Sequence, residues 1–169
     1  MFVTKERCFK TMETGIVQVF YGDGKGKTSA AAGQALRELQ EGQRLTMIQF
    51  LKGKVANEFH ILERLEPDVK IFRFDKSECN YCDLTDEAKE EEKHNLLNGF
   101  NFAKKVIETG ECDVIILDEV LGLIDLDILT ADDVEDLLRI QGDYQKLILT
   151  GNKLPDQIRV YVDEVSEIS

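Results

Sequence analysis

The chain has 169 residues, 43% of them hydrophobic, which suits one domain with a core that needs no covalent staples. Its 21 basic residues against 33 acidic ones leave a formal net charge of -12, which repels phosphate backbones and anionic lipid at long range and sets nucleic acid and membranes aside as partners. A polyanionic ligand must then be met by local charge, from a few lysines, oriented amides and a bound cation.

Residues 1–14 read as a polar arm ahead of a single domain over 15–169. The opening Met1-Phe2-Val3-Thr4-Lys5-Glu6-Arg7-Cys8 lacks the basic and apolar regions of a signal peptide, and no apolar run is long enough to span a bilayer. A cytoplasmic protein is expected, with Cys8, Cys79, Cys82 and Cys112 kept as thiols.

Short apolar runs then alternate with segments of helical periodicity, the rhythm of an α/β domain with a mainly parallel sheet flanked by helices. Strands are expected over Ile16 to Tyr21, Leu45 to Phe50, Val69 to Phe74, Val114 to Leu117, Lys146 to Thr150 and Arg159 to Val162. Between the first two, Thr28 to Gln40 reads as a helix whose Ala30, Ala31, Ala32 and Ala35 allow close approach to the sheet, with Gly42 as its stop. Thr85 caps the longest helix, where Leu96, Phe100, Ala103 and Ile107 recur up to Gly110. Its run Lys89-Glu90-Glu91-Glu92-Lys93 reads as a solvated face. Thr130-Ala131-Asp132-Asp133 opens a further helix that turns Val134, Leu137 and Leu138 inward and ends near Gly142.

The most specific motif is Gly22-Asp23-Gly24-Lys25-Gly26-Lys27-Thr28, followed by Ser29, set between the first strand and the alanine-rich helix. Glycines let the backbone turn its amides toward one point, and the helix aims its positive end at the same place, which makes an anion site. Lys27 would reach phosphate oxygens and Thr28 would bind Mg²⁺, or Mn²⁺. The spacing is one residue shorter than the general phosphate-loop pattern, which places Gly where Tyr21 stands. The alternative is a ligand-free turn, against which the Gly-Lys-Thr at the helix start argues.

The second half of such a site is an acid at the end of a buried strand, and Val114-Ile115-Ile116-Leu117-Asp118-Glu119 supplies it. Asp118 would sit beside the metal and Glu119 would orient a group or join it. The alternative for both is an acid capping the following helix.

The run Val19 to Ala31 resembles, including its shortened spacing, the loop of the ATP:corrinoid adenosyltransferases, with Asp23 in place of the usual Asn. The resemblance continues in Met47-Ile48-Gln49-Phe50-Leu51-Lys52-Gly53, in Leu117-Asp118-Glu119, in Leu149-Thr150-Gly151 and in Val165-Ser166-Glu167, and covers roughly Ile16 to Glu167. It implies a RecA-like P-loop fold, a homodimer, ATP as one substrate and a reduced corrinoid as the other, and a separate reductant such as a flavoprotein. The implied reaction moves the 5′-deoxyadenosyl group of ATP to cobalt and releases triphosphate. Lys27, the metal and loop amides would stabilise that leaving group, and no general base is required because Co(I) is itself a strong nucleophile. The family also places aromatic residues beside the corrin, commonly Phe-x-Trp, and Phe72-Arg73-Phe74 is the expected counterpart, with an ordinary core pair as the alternative.

Three features depart from the pattern. Asn152 stands where the family commonly has Arg, the chain ends at Ser169 where members generally continue, and Gly53 to Thr85 match loosely. Cys79 and Cys82 are open to three readings: two ligands of a metal site, a redox pair, or plain thiols. The rival functions are a small-molecule kinase or ATPase, in which the γ-phosphate moves, and a non-catalytic ATP or corrinoid carrier.

Overall fold

The computed structural model describes residues 15–51, 60–65 and 67–169, so the arm over 1–14 with Cys8, and Lys52-Gly53, lie outside the described residues. The first strand, β1 (Ile16–Tyr21), runs through the phosphate-loop motif into α1 (Lys27–Glu38). There follow β2 (Leu45–Gln49), a short α2 (His60–Glu63), β3 (Val69–Arg73) and a 3-10 turn at Tyr81–Asp83. The long α3 (Asp86–Thr109) leads into β4 (Val114–Asp118), a short α4 (Gly122–Asp125), α5 (Ala131–Arg139), β5 (Lys146–Gly151), a short α6 (Asp156–Arg159) and β6 (Glu164–Glu167).

The six strands form one sheet in the order β3-β2-β4-β5-β1-β6, every neighbouring pair parallel. A parallel sheet is covered on both faces, which is why β4 is buried at every position. Its residues alternate between two cores. Val114 and Ile116 join Phe20, Ala31 and Ala35 beneath α1, whereas Ile115 and Leu117 join Leu96, Phe100, Val134 and Leu137 beneath α3 and α5. Ala31 and Ala35 are fully buried, so α1 lies close on the sheet, as its small residues allow.

The helix ends follow their chemistry. Thr85 accepts from the amide of Ala88 at 3.3 Å, and Gly110 closes α3 in the left-handed region at φ 64. Thr130 and Asp133 exchange bonds in a capping box at the start of α5, and the hydrogen bond from the Thr130 amide holds the Asp133 carboxyl below its ordinary range. Lys146, 2% exposed, pairs with Glu38 at 3.4 Å and Glu164 at 3.2 Å, which ties β5 to α1 on one side and β6 on the other.

One strand expectation is corrected. Arg159 to Val162 is the end of α6 and a turn, and the edge strand is Glu164–Glu167. Exposed Val160 and buried Val162 imitate the alternation of a strand, but Pro155 starts a helical turn there. Asp163 then docks on β1, its carboxylate accepting from the Val17 amide at 2.9 Å and its own amide donating to the Val17 carbonyl at 2.8 Å.

Candidate active site

The loop motif folds over the end of β1 in a shape that needs its glycines. Gly22 and Gly26 have φ of 125 and 97, in the region that side chains rarely adopt. Gly26 caps α1, whose first-turn amides face the loop and make an anion-binding end. Lys27 is 8% exposed, and its ammonium lies across the loop, donating to the carbonyls of Gly22 at 2.7 Å and Gly24 at 2.9 Å. Asp23, Lys25 and Ser29 are exposed around the same rim.

Strand order explains how the acid half arrives. Because β5 lies between β1 and β4, the ends of all three strands converge. Asp118 is fully buried, and its Oδ1 accepts from the hydroxyl of Thr28 at 2.8 Å and from that of Thr150 at 2.9 Å. The Thr150 hydroxyl in turn accepts from the amide of Glu119 at 2.8 Å. Glu119 has φ 61, left-handed backbone for a residue with a side chain, and such local strain is found at functional sites. Gly151 is required beside it, since a Cβ there would lie 2.4 Å from the Cβ of Leu121.

A cleft of about 350 Å³ opens at the same end of the sheet, where ligands of parallel α/β folds bind. Glu119 and Asn152 line it, and Cys79, Asn80, Tyr81, Cys82 and Leu84 line it from another segment that forms a wall. That wall is anchored by Glu92 of α3, 6% exposed, which accepts from the amides of Lys76 at 2.8 Å and Ser77 at 3.3 Å. Burial, followed by the charges of Glu90, Cys82 and Glu92, raises the Tyr81 phenol above its ordinary range, and its hydroxyl donates to the Lys89 carbonyl at 3.5 Å.

The structure therefore gathers Lys27, Thr28, Asp118 and Glu119 in one place. Phe72 and Phe74 go elsewhere. Both pack on Phe102 of α3, with ring centroids 4.8 and 5.5 Å away, and Phe74 fills the space over Gly99, where a Cβ would come 2.6 Å from its ring. Phe72 also borders a separate hollow of about 100 Å³ beside Arg44 and Lys70. Cys79 and Cys82 are free, exposed thiols on the cleft wall, and among the described residues no three His, Cys, Asp or Glu side chains group as metal ligands. Two site residues escape the motif reading. Thr150 was visible only as part of Leu149-Thr150-Gly151, and Tyr81 carried no signal beyond lying between two cysteines.

Fold and site together define a parallel α/β domain of the RecA-like P-loop class, with a phosphate loop, a buried strand-end acid and an adjoining cleft. The model of the family described as ATP:corrinoid adenosyltransferase BtuR/CobO/CobP matches residues 13–169. The corrinoid adenosyltransferase of Escherichia coli (strain K12) is 32% identical over 159 residues, which covers 92% of this chain and 77% of that protein. Corrinoid adenosyltransferase CobA of Salmonella typhimurium is 30% identical over 156 residues, with the same coverage of 92% and 77%. A corrinoid adenosyltransferase of a Sinorhizobium species is 26% identical over 161 residues, covering 94% of this chain and 74% of its own. The chain belongs to the ATP:corrinoid adenosyltransferase family.

Proposed function

We propose that this chain transfers the 5′-deoxyadenosyl group of ATP to the cobalt of a reduced corrinoid, with ATP held by the loop and the corrin in the adjoining cleft. The observation that carries the reading is the convergence of Lys27, Thr28 and Asp118 beside a cleft at one end of the sheet. The bond between C5′ and the triphosphate oxygen breaks as the Co(I) electron pair forms the new bond to carbon, and the released electrons leave on triphosphate.

In this reading Lys27 and the first-turn amides of α1 bind the triphosphate and take up the charge that develops on its departing oxygen. The donor set at Thr28 and Asp118 consists of hard oxygens meeting at 2.8 Å, which fits Mg²⁺, or Mn²⁺ in its place. Bound there, that cation supplies Lewis-acid charge to the triphosphate. Thr150 fixes the Asp118 carboxylate, and Glu119, held by the same hydroxyl, faces the cleft and orients the group that enters it. Tyr81, which lines the cleft, is the aromatic side chain against the corrin in place of Phe72 and Phe74, which pack on Phe102.

A polar arm over 1–14, a homodimer in the cytoplasm and a reductant protein such as a flavoprotein belong to the same proposal. Purified protein mixed anaerobically with ATP, Mg²⁺ and chemically reduced cobalamin should yield light-sensitive adenosylcobalamin together with triphosphate. ADP in place of triphosphate would turn the reading to a kinase or ATPase, and ATP binding without turnover to a carrier.

A further inference from the structure

The phosphate loop is held from outside by a segment distant in sequence. The pairing of β1 with β6 ends at Tyr21 opposite Glu167, but the chain beyond β6 continues along the loop. The Ile168 amide donates to the Tyr21 carbonyl at 2.7 Å, and the Ile168 carbonyl accepts from the Gly24 amide at 2.8 Å. These two bonds span Gly22 and Asp23 like a clamp. The Ile168 side chain is seated against the core under α1 that includes Phe20 and Ala31. The Tyr21 hydroxyl donates to Glu167 at 3.3 Å one residue before it.

The clamp accounts for two of the loop glycines. A Cβ on Gly22 would lie 2.3 Å from the Ile168 carbonyl oxygen, and one on Gly24 would lie 2.7 Å from the same atom. Gly24 thus keeps its amide for Ile168, as Gly22 keeps its own for the carbonyls of Gly151 and Asn152, which withdraws both from a phosphate. The Gly24 carbonyl is one of the two oxygens that hold the Lys27 ammonium, so fixing Gly24 also fixes the position of that charge.

We infer that Ile168 is a positioning residue for ATP: its main chain holds the first half of the loop in the phosphate-binding shape and sets the place of Lys27 without touching either substrate. The inference rests on the proposed ATP site. A loop ordered beforehand loses less freedom on binding, so the clamp lowers the cost of seating the triphosphate.

Ile168→Pro removes the N–H donated to Tyr21 while keeping an apolar side chain, one residue past the last pair of β1 with β6. Hydrogen exchange of the Gly24 amide reads the clamp, and calorimetric titration with Mg-ATP reads its consequence. The variant should exchange Gly24 faster and bind ATP about tenfold more weakly, with cobalamin binding and melting temperature close to the parent. Faster exchange with unchanged ATP affinity would overturn the positioning role, and unchanged exchange would overturn the clamp. Equal weakening for ATP and cobalamin would mean general loosening and also overturn it. A parent protein with a protected Gly24 amide that bound no ATP would sink the proposed activity, and with it any role of Ile168 toward ATP. If Ile168→Pro does not fold, Ile168→Gly frees the backbone and removes the side-chain anchor, and should give the same pattern with about a threefold loss of ATP affinity.

Discussion

Thr28 and Asp118, ninety residues apart in sequence, are joined by a buried hydrogen bond of 2.8 Å. The bond fastens the first turn of α1 to the end of β4, and it sets the scale of the first prediction. Asp118→Asn keeps the shape but removes the negative charge, so hard-cation binding suffers most. Adenosyl transfer should fall about 100-fold or more, as when a charged group is lost at a reacting centre. Steady-state kcat/KM for ATP at several Mg²⁺ concentrations checks it, and parental activity would remove Asp118 from the site.

Lys27→Ala deletes the ammonium that lies across Gly22 and Gly24. ATP affinity should drop by about 100-fold, equal to roughly 2.7 kcal/mol, with little change in folding stability. Lys27→Arg should not restore it, because a planar guanidinium cannot take the place of a compact ammonium between two carbonyls. Equilibrium titration with ATP decides both.

Thr150→Val is nearly isosteric yet breaks two bonds, the buried one to Asp118 and the part-buried one from the Glu119 amide. Stability should decline by about 1–3 kcal/mol in urea unfolding, the cost of leaving buried polar groups without partners. Turnover should fall as well, since Asp118 and Glu119 both lose their fixed orientation. A variant as stable and as active as the parent would deny Thr150 any part in the site.

Alkylation of Cys79 and Cys82 with iodoacetamide adds bulk to the cleft wall. The KM for corrinoid should rise at least about fivefold while ATP affinity holds, and bound corrinoid should slow the labelling. Full modification with an unaltered corrinoid KM would move the corrin out of this cleft.

Tyr144 is 7% exposed, and burial, aided by the nearby Asp163 charge, pushes its phenol from 10.0 up to about 12. A folded pKa above the unfolded one favours the protonated native state, so this contribution is fully present below pH 10 and is lost as pH rises to about 12. The loss is on the order of 2 kcal/mol, and Tyr144→Phe should flatten that part of the stability profile. Identical alkaline unfolding of the two proteins would refute it.

What could be read from the chain was what lies close together along it. The phosphate loop, the Leu117-Asp118-Glu119 strand end and the caps at Thr85 and Thr130 are contiguous, and each carries its own local physics. Thr150 and Ile168 were hidden because their roles depend on β5 and β6 flanking β1, an order that no local pattern encodes. Phe72 was rightly placed in a strand and Phe74 lies one residue past its end, but the sequence pattern alone does not say that Gly99 leaves room for Phe74 under α3. The Val160 and Val162 alternation misled for the opposite reason, since a turn of helix imitates a strand over four residues.

The end of β5 has one more property. Thr150 meets Asp118, the carbonyls of Gly151 and Asn152 both accept from the Gly22 amide at 3.2 and 3.0 Å, and Asn152 lines the cleft. Three adjoining residues thus touch the acid, the loop and the cleft in turn, as the teeth of one short rack engage three gears. A substitution in this segment therefore borders more than one part of the site at once.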